Sequence, residues 1–313
     1  MECTAKSKKA IIGLNADTYL WKIVVNTSSQ DGKQFDFCKK NNIIGVGWCF
    51  RDESGNLYTP KNIDDAIRIG REYYDSRGCI TALNALKEIE PNDLIWTRNE
   101  GIYYICRVKS KWKYANDEEH IREDVCNFVD VEFVKVGTVE KVPGRITNCF
   151  RARSSIQRIH DEKKIMTNIT RDLYNRITRK NFYETKAYCK EDIFDFLQPE
   201  DVEEVVSLYL QIQKNYLVYT STNKLDTQKY EFVGVARDGS HYCYPQVKTG
   251  GETLDGNQYK NLTEHGNIVY LFATSEKYYN VNEDAIIAIY REELLEFMYK
   301  NRKVMPLRIQ QWM

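Results

Sequence analysis

The sequence predicts a two-domain protein of mixed architecture (α+β / α/β). A small curled sheet or barrel comes first, followed by a unit that reads helix, three strands, connection, strand, strand, helix. Three observations carry this reading. The chain has 313 residues, long for one core and suited to two. Residues 1–150 hold several short strands and few helices, the mark of a curled sheet. From residue 192 onward a strongly patterned helix precedes a run of strands. Residues 151–191 read as a basic helical linker between the two.

Taken in order, the first domain offers strands at Tyr19–Asn26, Ile43–Phe50, Leu94–Thr97, Ile102–Lys109 and Val131–Val136, where β-branched and aromatic residues cluster. Helices are expected at Gln34–Lys40, Ile63–Tyr74 and Thr81–Leu86, with Asn62 capping the second. Arg151–Ile159 and Asp161–Thr178 carry helical periodicity. In the second domain, Pro199-Glu200-Asp201 opens a helix: proline suits the first turn, and acids suit its positive end. Val202, Val205, Val206, Tyr209 and Leu210 then fall on one face. Strands follow at Tyr216–Thr220, Tyr230–Ala236, His241–Lys248, Asn267–Thr274 and Ala285–Ile289, and Arg291–Lys300 closes as a helix.

Charge and cysteine usage narrow the function classes. Forty-five basic residues balance forty-five acidic ones, which excludes a histone-like polycation. The balance is local, however. Arg145–Lys180 holds ten Lys or Arg against three acids, either a phosphate-facing surface built on Arg151, Arg153, Arg158, Lys163 and Lys164 or a solvated helix face. Nine scattered cysteines without a CxxC pair, and four histidines without metal spacing, point to thiols in a reducing cytoplasm. No apolar run approaches the ~20 residues of a bilayer span, and no secretory signal is expected.

The C-terminal strands hold the densest chemistry. Tyr230–Ala236 and His241–Lys248 are joined by Arg237-Asp238-Gly239-Ser240, a hairpin turn. Strand alternation sends Gln246 and Lys248 to one face and Val247 into the core. Hairpin pairing then brings Glu231, Gln246 and Lys248 to one end of the sheet. A carboxylate, an amide oxygen and an ammonium around one point suit a divalent cation, a water and a phosphodiester. This constellation, with Asp201-Val202-Glu203-Glu204 on the helix and Tyr216-Leu217-Val218 on the first strand, resembles the PD-(D/E)xK nucleases, closest to the Mrr-like restriction endonucleases in their QxK form. The resemblance covers roughly residues 195–275 and implies an αβββαβ core. It implies that Glu231 replaces the usual catalytic Asp, and that Glu203 or Glu204 is the helix acid. It implies further that Glu231, Gln246 and the Val247 carbonyl hold Mg²⁺ (or Mn²⁺), while Lys248 orients the attacking water.

In the first domain the signal is aromatic. Ile43-Ile44-Gly45-Val46-Gly47-Trp48, Asn92-Asp93-Leu94-Ile95-Trp96-Thr97-Arg98 and Tyr103-Tyr104-Ile105-Cys106-Arg107-Val108 resemble the EVE-like branch of PUA-like domains, whose members bind RNA or modified DNA bases. The resemblance implies a pocket for a flipped base. Trp21, Trp48 and Trp96 would be stacking surfaces, and Asp93, Asn26 or Arg98 would read the base edge.

The combined expectation is a modification-sensing, metal-dependent DNA endonuclease. It would act on foreign, modified double-stranded DNA in antiviral defence, be cytoplasmic, and work as a homodimer so that each strand receives a cut. Three alternatives stay open: the substrate is RNA, the nuclease-like half is an inactive scaffold carried by a reader, or the chain is a structural or interaction protein bound through the basic stretch 145–180. The chain has no Walker-type GxxxxGK[ST] loop.

Overall fold

The computed structural model describes residues 18–25, 33–74, 77–152, 154–161, 164–187, 193–222, 229–282 and 284–313. The chain divides into two compact units. One comprises Met1–Val142 with Ile146–Ala187, the other Pro143–Arg145 with Tyr188–Met313.

In the first unit, β1 (Leu20–Ile23), α1 (Lys33–Asn41), β2 (Ile43–Val46), α2 (Ile63–Tyr73) and α3 (Arg77–Glu88) lead into β3 (Leu94–Asn99) and β4 (Ile102–Val108). β5 (Lys113–Tyr114), α4 (Glu118–Arg122), β6 (Asn127–Gly137), α5 (Gly144–Cys149), β7 (Ile156–Arg158) and α6 (Ile165–Thr178) follow. Seven strands form one sheet in the order β2-β6-β4-β3-β1-β7, with β5 paired to β6. Only β1 and β3 run parallel. The sheet curls into a half-barrel because long β6 changes partners along its length: Asn127–Asp130 pair with β2, and Val131–Gly137 pair with β4. A register shift between Tyr103 and Tyr104 marks a bulge in that second pairing. The expected helix caps are in place, with the Asn62 side chain accepting from the Asp65 amide at 2.9 Å.

The basic stretch is arranged differently from its helical reading. Arg151–Ile159 is not a helix. Ile156–Arg158 pair antiparallel with β1 as the last strand of the sheet, with Ile156 buried and Arg158 exposed. Only from Ile165 does a helix form, and its Met166, Ile169, Thr170 and Leu173 are buried in the first unit. Residues 156–178 are therefore part of that unit's body, not a connector between two.

A half-buried network fastens α6 to the sheet. Arg107 donates to Glu132 (2.8 Å), to the Tyr174 hydroxyl (2.9 Å) and to Asn92 (3.2 Å). Burial alone would raise the Glu132 carboxyl, but hydrogen bonds from Arg107 and Tyr174 outweigh it and bring the group down to about 2. Because the folded value lies below the unfolded one, this stabilisation is fully present above about pH 4.5 and is lost as pH falls toward 2. Acid unfolding followed by circular dichroism should lose roughly 2–3 kcal/mol over that window, and Glu132→Gln should flatten that part of the curve.

The second unit contains α7 (Ile193–Phe196), α8 (Pro199–Ile212), β8 (Tyr216–Tyr219), β9 (Val233–Ala236), β10 (Tyr242–Lys248), β11 (Thr253–Asp255), β12 (Ile268–Ala273), β13 (Lys277–Tyr279), β14 (Ile286–Ile289), α9 (Arg291–Lys300) and α10 (Leu307–Gln310). Its main sheet runs β14-β12-β10-β9-β8. β8, β9 and β10 form an antiparallel meander, and β10, β12 and β14 are parallel. Val202, Val205, Val206, Tyr209 and Leu210 form the buried face of α8 as the periodicity requires. One expected element is missing. Between β10 and β12 the αβββαβ pattern calls for an α-helix, but the chain forms β11 and the 3₁₀ turns Gly256–Leu262 and Glu264–Gly266. Glycines at 250, 251, 256 and 266, with positive φ at Gly250, His265 and Gly266, explain why no α-helix propagates there.

Candidate functional site

In the second unit, the β9–β10 hairpin closes as the sequence indicates. Ala236 N donates to His241 O at 2.9 Å, and Gly239 takes φ +73 in the turn. Glu231 lies in a bend just before β9 and not within it, yet its amide donates to Pro245 O at 2.8 Å and keeps it beside β10. Its carboxylate accepts from Gln246 Nε2 at 2.7 Å and from the Val247 N–H. Gln246 is buried and Lys248 half-buried, with the Lys248 charge close enough to act on Glu231. Burial pushes the Glu231 carboxyl above its ordinary value; the Val247 amide, Lys248 and Gln246 oppose that rise without cancelling it. Tyr259, buried in the Gly256–Leu262 turn, feels the same carboxylate, which helps raise its phenol.

Glu204 is exposed and Glu203 sits at the edge of the buried face of α8. Among the described residues no three His, Cys, Asp or Glu side chains gather around a possible cation position. The buried acid of α8 is Asp201. It caps its own helix by accepting from Gln198 N at 3.1 Å and is ion-paired with Arg308 of α10.

The remaining donors nevertheless fit a small hard cation. Gln246 Nε2 lies 2.7 Å from Glu231 Oε1 and 3.3 Å from the Val247 carbonyl, so two oxygens converge on one amide end. Turning that amide end for end would place its oxygen there instead. Adjacent oxygens around Mg²⁺ at ~2.1 Å are about 3.0 Å apart, close to these spacings. One carboxylate with neutral oxygens also leaves positions for water and phosphate, as is usual for Mg²⁺.

In the first unit most of the expected base pocket is core. Trp21 and Trp96 are 1% and 0% exposed. Trp21 Nε1 donates to Asp93 at 2.8 Å, and Trp96 Nε1 donates to the Thr170 hydroxyl at 3.0 Å. Asp93, also buried, accepts from Tyr19 N (2.9 Å) and Glu90 N (3.2 Å) as well. It has no edge left to read a base. Alternating strand faces bury these side chains on both sides of the sheet, between the helices and the inner curl. Replacing Asp93 by Ala strands three donors and should cost roughly 3–5 kcal/mol in urea unfolding. Arg98 is exposed at the end of β3, with its guanidinium 5.1 Å from the Phe150 ring and bonded to the Tyr103 hydroxyl at 3.3 Å. Asn26 lies outside the described residues.

Trp48 is different. It is half-buried and holds φ 64, an uncommon backbone state for an aromatic residue. The backbone before it is crowded: β2 approaches β6 closely at Gly45, and Gly47 approaches Asp124 of the turn before β6. A Cβ on Gly45 would lie 2.0 Å from Asn127 O, and one on Gly47 would lie 1.8 Å from Asp124 Oδ1. The buried Asn127 side chain then fixes the reversal, donating to Gly47 O at 2.6 Å and Trp48 O at 3.0 Å. Its oxygen accepts from Trp112 Nε1 at 3.2 Å. Trp112 is half-buried too, with its ring 6.3 Å from Tyr114 and nearly parallel to it. Both indoles border the same two core clusters. One amide thus holds the backbone of Trp48 and the indole of Trp112. Sequence reading passed over Trp112 and Asn127 as site residues. The available signal was a polar residue inside the apolar run Val125-Cys126-Asn127-Phe128-Val129, which needs buried partners.

Of the expected phosphate-facing residues, Arg153 and Lys163 lie outside the described set. Arg158 and Lys164 meet at one ring, 3.6 Å and 5.1 Å from the centroid of Tyr19. Arg151 is exposed beyond α5.

No known protein-family model matches this chain, and no curated protein matches it. Among solved structures it is similar to the YTH domain of the Zygosaccharomyces rouxii MRB1 protein, determined in complex with N6-methyladenosine RNA. The match covers 55% of this chain and 90% of that one, at 12% identity and a TM-score of 0.26. A likeness that slight establishes neither fold nor ligand here. Among the described residues no helix is long and apolar enough to cross a membrane.

Proposed function

We propose that this protein recognises a base through its first unit and cleaves nucleic acid, DNA in the first instance, through its second, using Mg²⁺ or Mn²⁺. The observation that carries the reading is the meeting of Glu231, Gln246, the Val247 backbone and Lys248 at the end of β10. Glu231, the Gln246 oxygen and the Val247 carbonyl would hold the cation, which supplies Lewis acidity toward a phosphate oxygen. Lys248 places a positive charge where negative charge develops on the phosphoryl group and orients the attacking water. Glu231, raised by burial, must give up its proton before it serves as a ligand. Trp48 and Trp112 offer half-exposed indole surface to an extruded base. Arg158 and Lys164 add positive charge for a backbone. A role in restricting modified foreign DNA, and a homodimer that cuts both strands, belong to the same proposal.

A second reading has one observation in its favour. The Gln246 amide nitrogen already satisfies Glu231, and among the described residues no three His, Cys, Asp or Glu side chains gather around a possible cation position. On that reading the second unit is a scaffold and the protein only binds.

The test is incubation of matched DNA, with and without cytosine modification, in Mg²⁺ or EDTA, with RNA of the same sequence in parallel. Metal-dependent cutting of modified DNA alone supports the whole proposal. Cutting of RNA alone moves the substrate. Binding without cutting of any substrate, in Mg²⁺ or Mn²⁺, leaves the reader. Sedimentation on DNA showing a strict monomer would remove the homodimer.

A further inference from the structure

Two cysteines flank the Trp48–Asn127 contact. Cys49 follows Trp48 and Cys126 precedes Asn127. Pairing brings them together. Val46 faces Asn127 across β2 and β6, and Tyr114 faces the same Asn127 across β5 and β6. Tyr114 donates its hydroxyl to Cys49 Sγ at 3.8 Å, and Ala115 N donates to Cys126 O at 3.0 Å. The Cys49 thiol donates to Phe50 O at 3.9 Å and the Cys126 thiol to His120 O at 3.7 Å, and the two groups lie close enough for the charge of one to act on the other. Cys49 is half-buried and Cys126 buried. A second neighbouring pair, Cys38 and Cys106, is sealed in the core, where no oxidant reaches.

We propose that Cys49 and Cys126 form a reversible disulfide that acts as a redox switch on the Trp48–Trp112 surface. Their roles differ by environment. Cys49 is the accessible sulfur and receives a hydrogen bond from Tyr114, whose own oxygen is fixed by Phe50 N at 2.9 Å. The greater exposure of Cys49 makes it the sulfur an external disulfide reaches first. Burial holds the Cys126 thiol well up, so it reacts second. With a small-molecule disulfide such as oxidised glutathione as oxidant, the Cys49 thiolate attacks one sulfur. A mixed disulfide forms and one glutathione leaves as thiolate, taking up the proton Cys49 has lost. Cys126 then attacks the Cys49 sulfur and releases the second glutathione, which carries the Cys126 proton. Two protein thiols are oxidised and one glutathione disulfide is reduced to two thiols.

The bond forces a shift. Its sulfurs must close to ~2.05 Å with Cα atoms within about 4.4–6.8 Å. Drawing Cys49 onto β6 strains the adjoining Gly47 and Trp48 carbonyls against the Asn127 amide that holds them. Because Asn127 also holds Trp112, both indoles respond. The inference does not depend on what those indoles bind.

The experiment treats the full chain with oxidised glutathione, traps free thiols by alkylation, and maps disulfide-linked peptides while tryptophan emission is recorded. The expected result is a Cys49–Cys126 cross-link, a mass loss of two hydrogens, and an emission change that dithiothreitol reverses. Cys126→Ala should stop at one glutathione adduct on Cys49. Cys49→Ser, at a half-exposed position, should show neither product at these sites. Should Cys126→Ala fail to fold, the wild-type peptide map and Cys49→Ser still decide. No cross-link, a cross-link to another cysteine such as Cys79, or a Cys49–Cys126 bond that leaves emission unchanged would each overturn the proposal.

Discussion

Lys248→Ala should reduce metal-dependent cleavage by roughly 10²–10³-fold, the loss typical of removing one preorganised donor from a transition state. It should do so without unfolding the protein. Lys248 is half-buried at the end of β10, and surface-proximal truncations of this kind cost within about 1 kcal/mol. Glu231→Ala should abolish cleavage as well, but with a different thermal signature. It leaves the Gln246 amide and the Val247 N–H without their acceptor, at a cost of roughly 1–3 kcal/mol. The pH profile supplies an independent check. Glu231 sits above the ordinary carboxylate range because it is buried, so the acid limb of the rate should fall at higher pH than for an exposed Glu. In Lys248→Ala an opposing charge is gone, and any residual activity should need still higher pH. Equal loss of activity in both variants with a normal carboxylate limb would remove Glu231 from the chemistry.

Trp48→Ala should weaken binding of an oligonucleotide carrying an extrudable base by roughly 5- to 150-fold, or about 1–3 kcal/mol. Competition with a matched abasic strand, read by fluorescence anisotropy, separates stacking from backbone attraction. The abasic strand should be insensitive to the substitution. Asn127→Asp is the sharper variant. It keeps the shape but sets a carboxylate oxygen against the Gly47 and Trp48 carbonyls that now accept from Asn127 Nδ2. The Trp48 backbone loses its anchor, so it should match or exceed Trp48→Ala in binding and, unlike it, lower the melting temperature. A neutral Asn127→Asp would refute the anchoring role.

The second unit was the more legible. Its order of elements was readable because α8 carries an uninterrupted apolar face and its strands are separated by unambiguous turn residues such as Asp238-Gly239. Alternation alone placed Gln246 and Lys248 on one side of β10. What it could not convey was side-chain orientation: the Gln246 amide turns its nitrogen to Glu231, and Asp201, not a neighbouring Glu, is the buried acid of α8. In the first unit, pattern reading failed wherever both faces of a strand are covered. Trp21 and Trp96 looked like pocket walls because aromatic richness does not distinguish a stacking surface from a core. Arg151–Ile159 read as helix because three residues of an edge strand are too few to show a period of two. Trp48 was found, but for its type alone. Its left-handed backbone follows two glycines that meet β6 and the turn before it, far along the chain.

The placement of β1 also bears on how this chain is made. Leu20–Ile23 leave the ribosome early, yet the strand ends up between β3, which starts at Leu94, and β7, which ends at Arg158. About 135 residues separate Ile23 from Arg158, and at ordinary elongation rates they take roughly 7–27 s to appear. Through that interval Trp21 and Ile23, destined for the centre of the core, have no finished sheet to enter. Pairing of β1 on both its edges therefore waits until the chain has been made through Arg158.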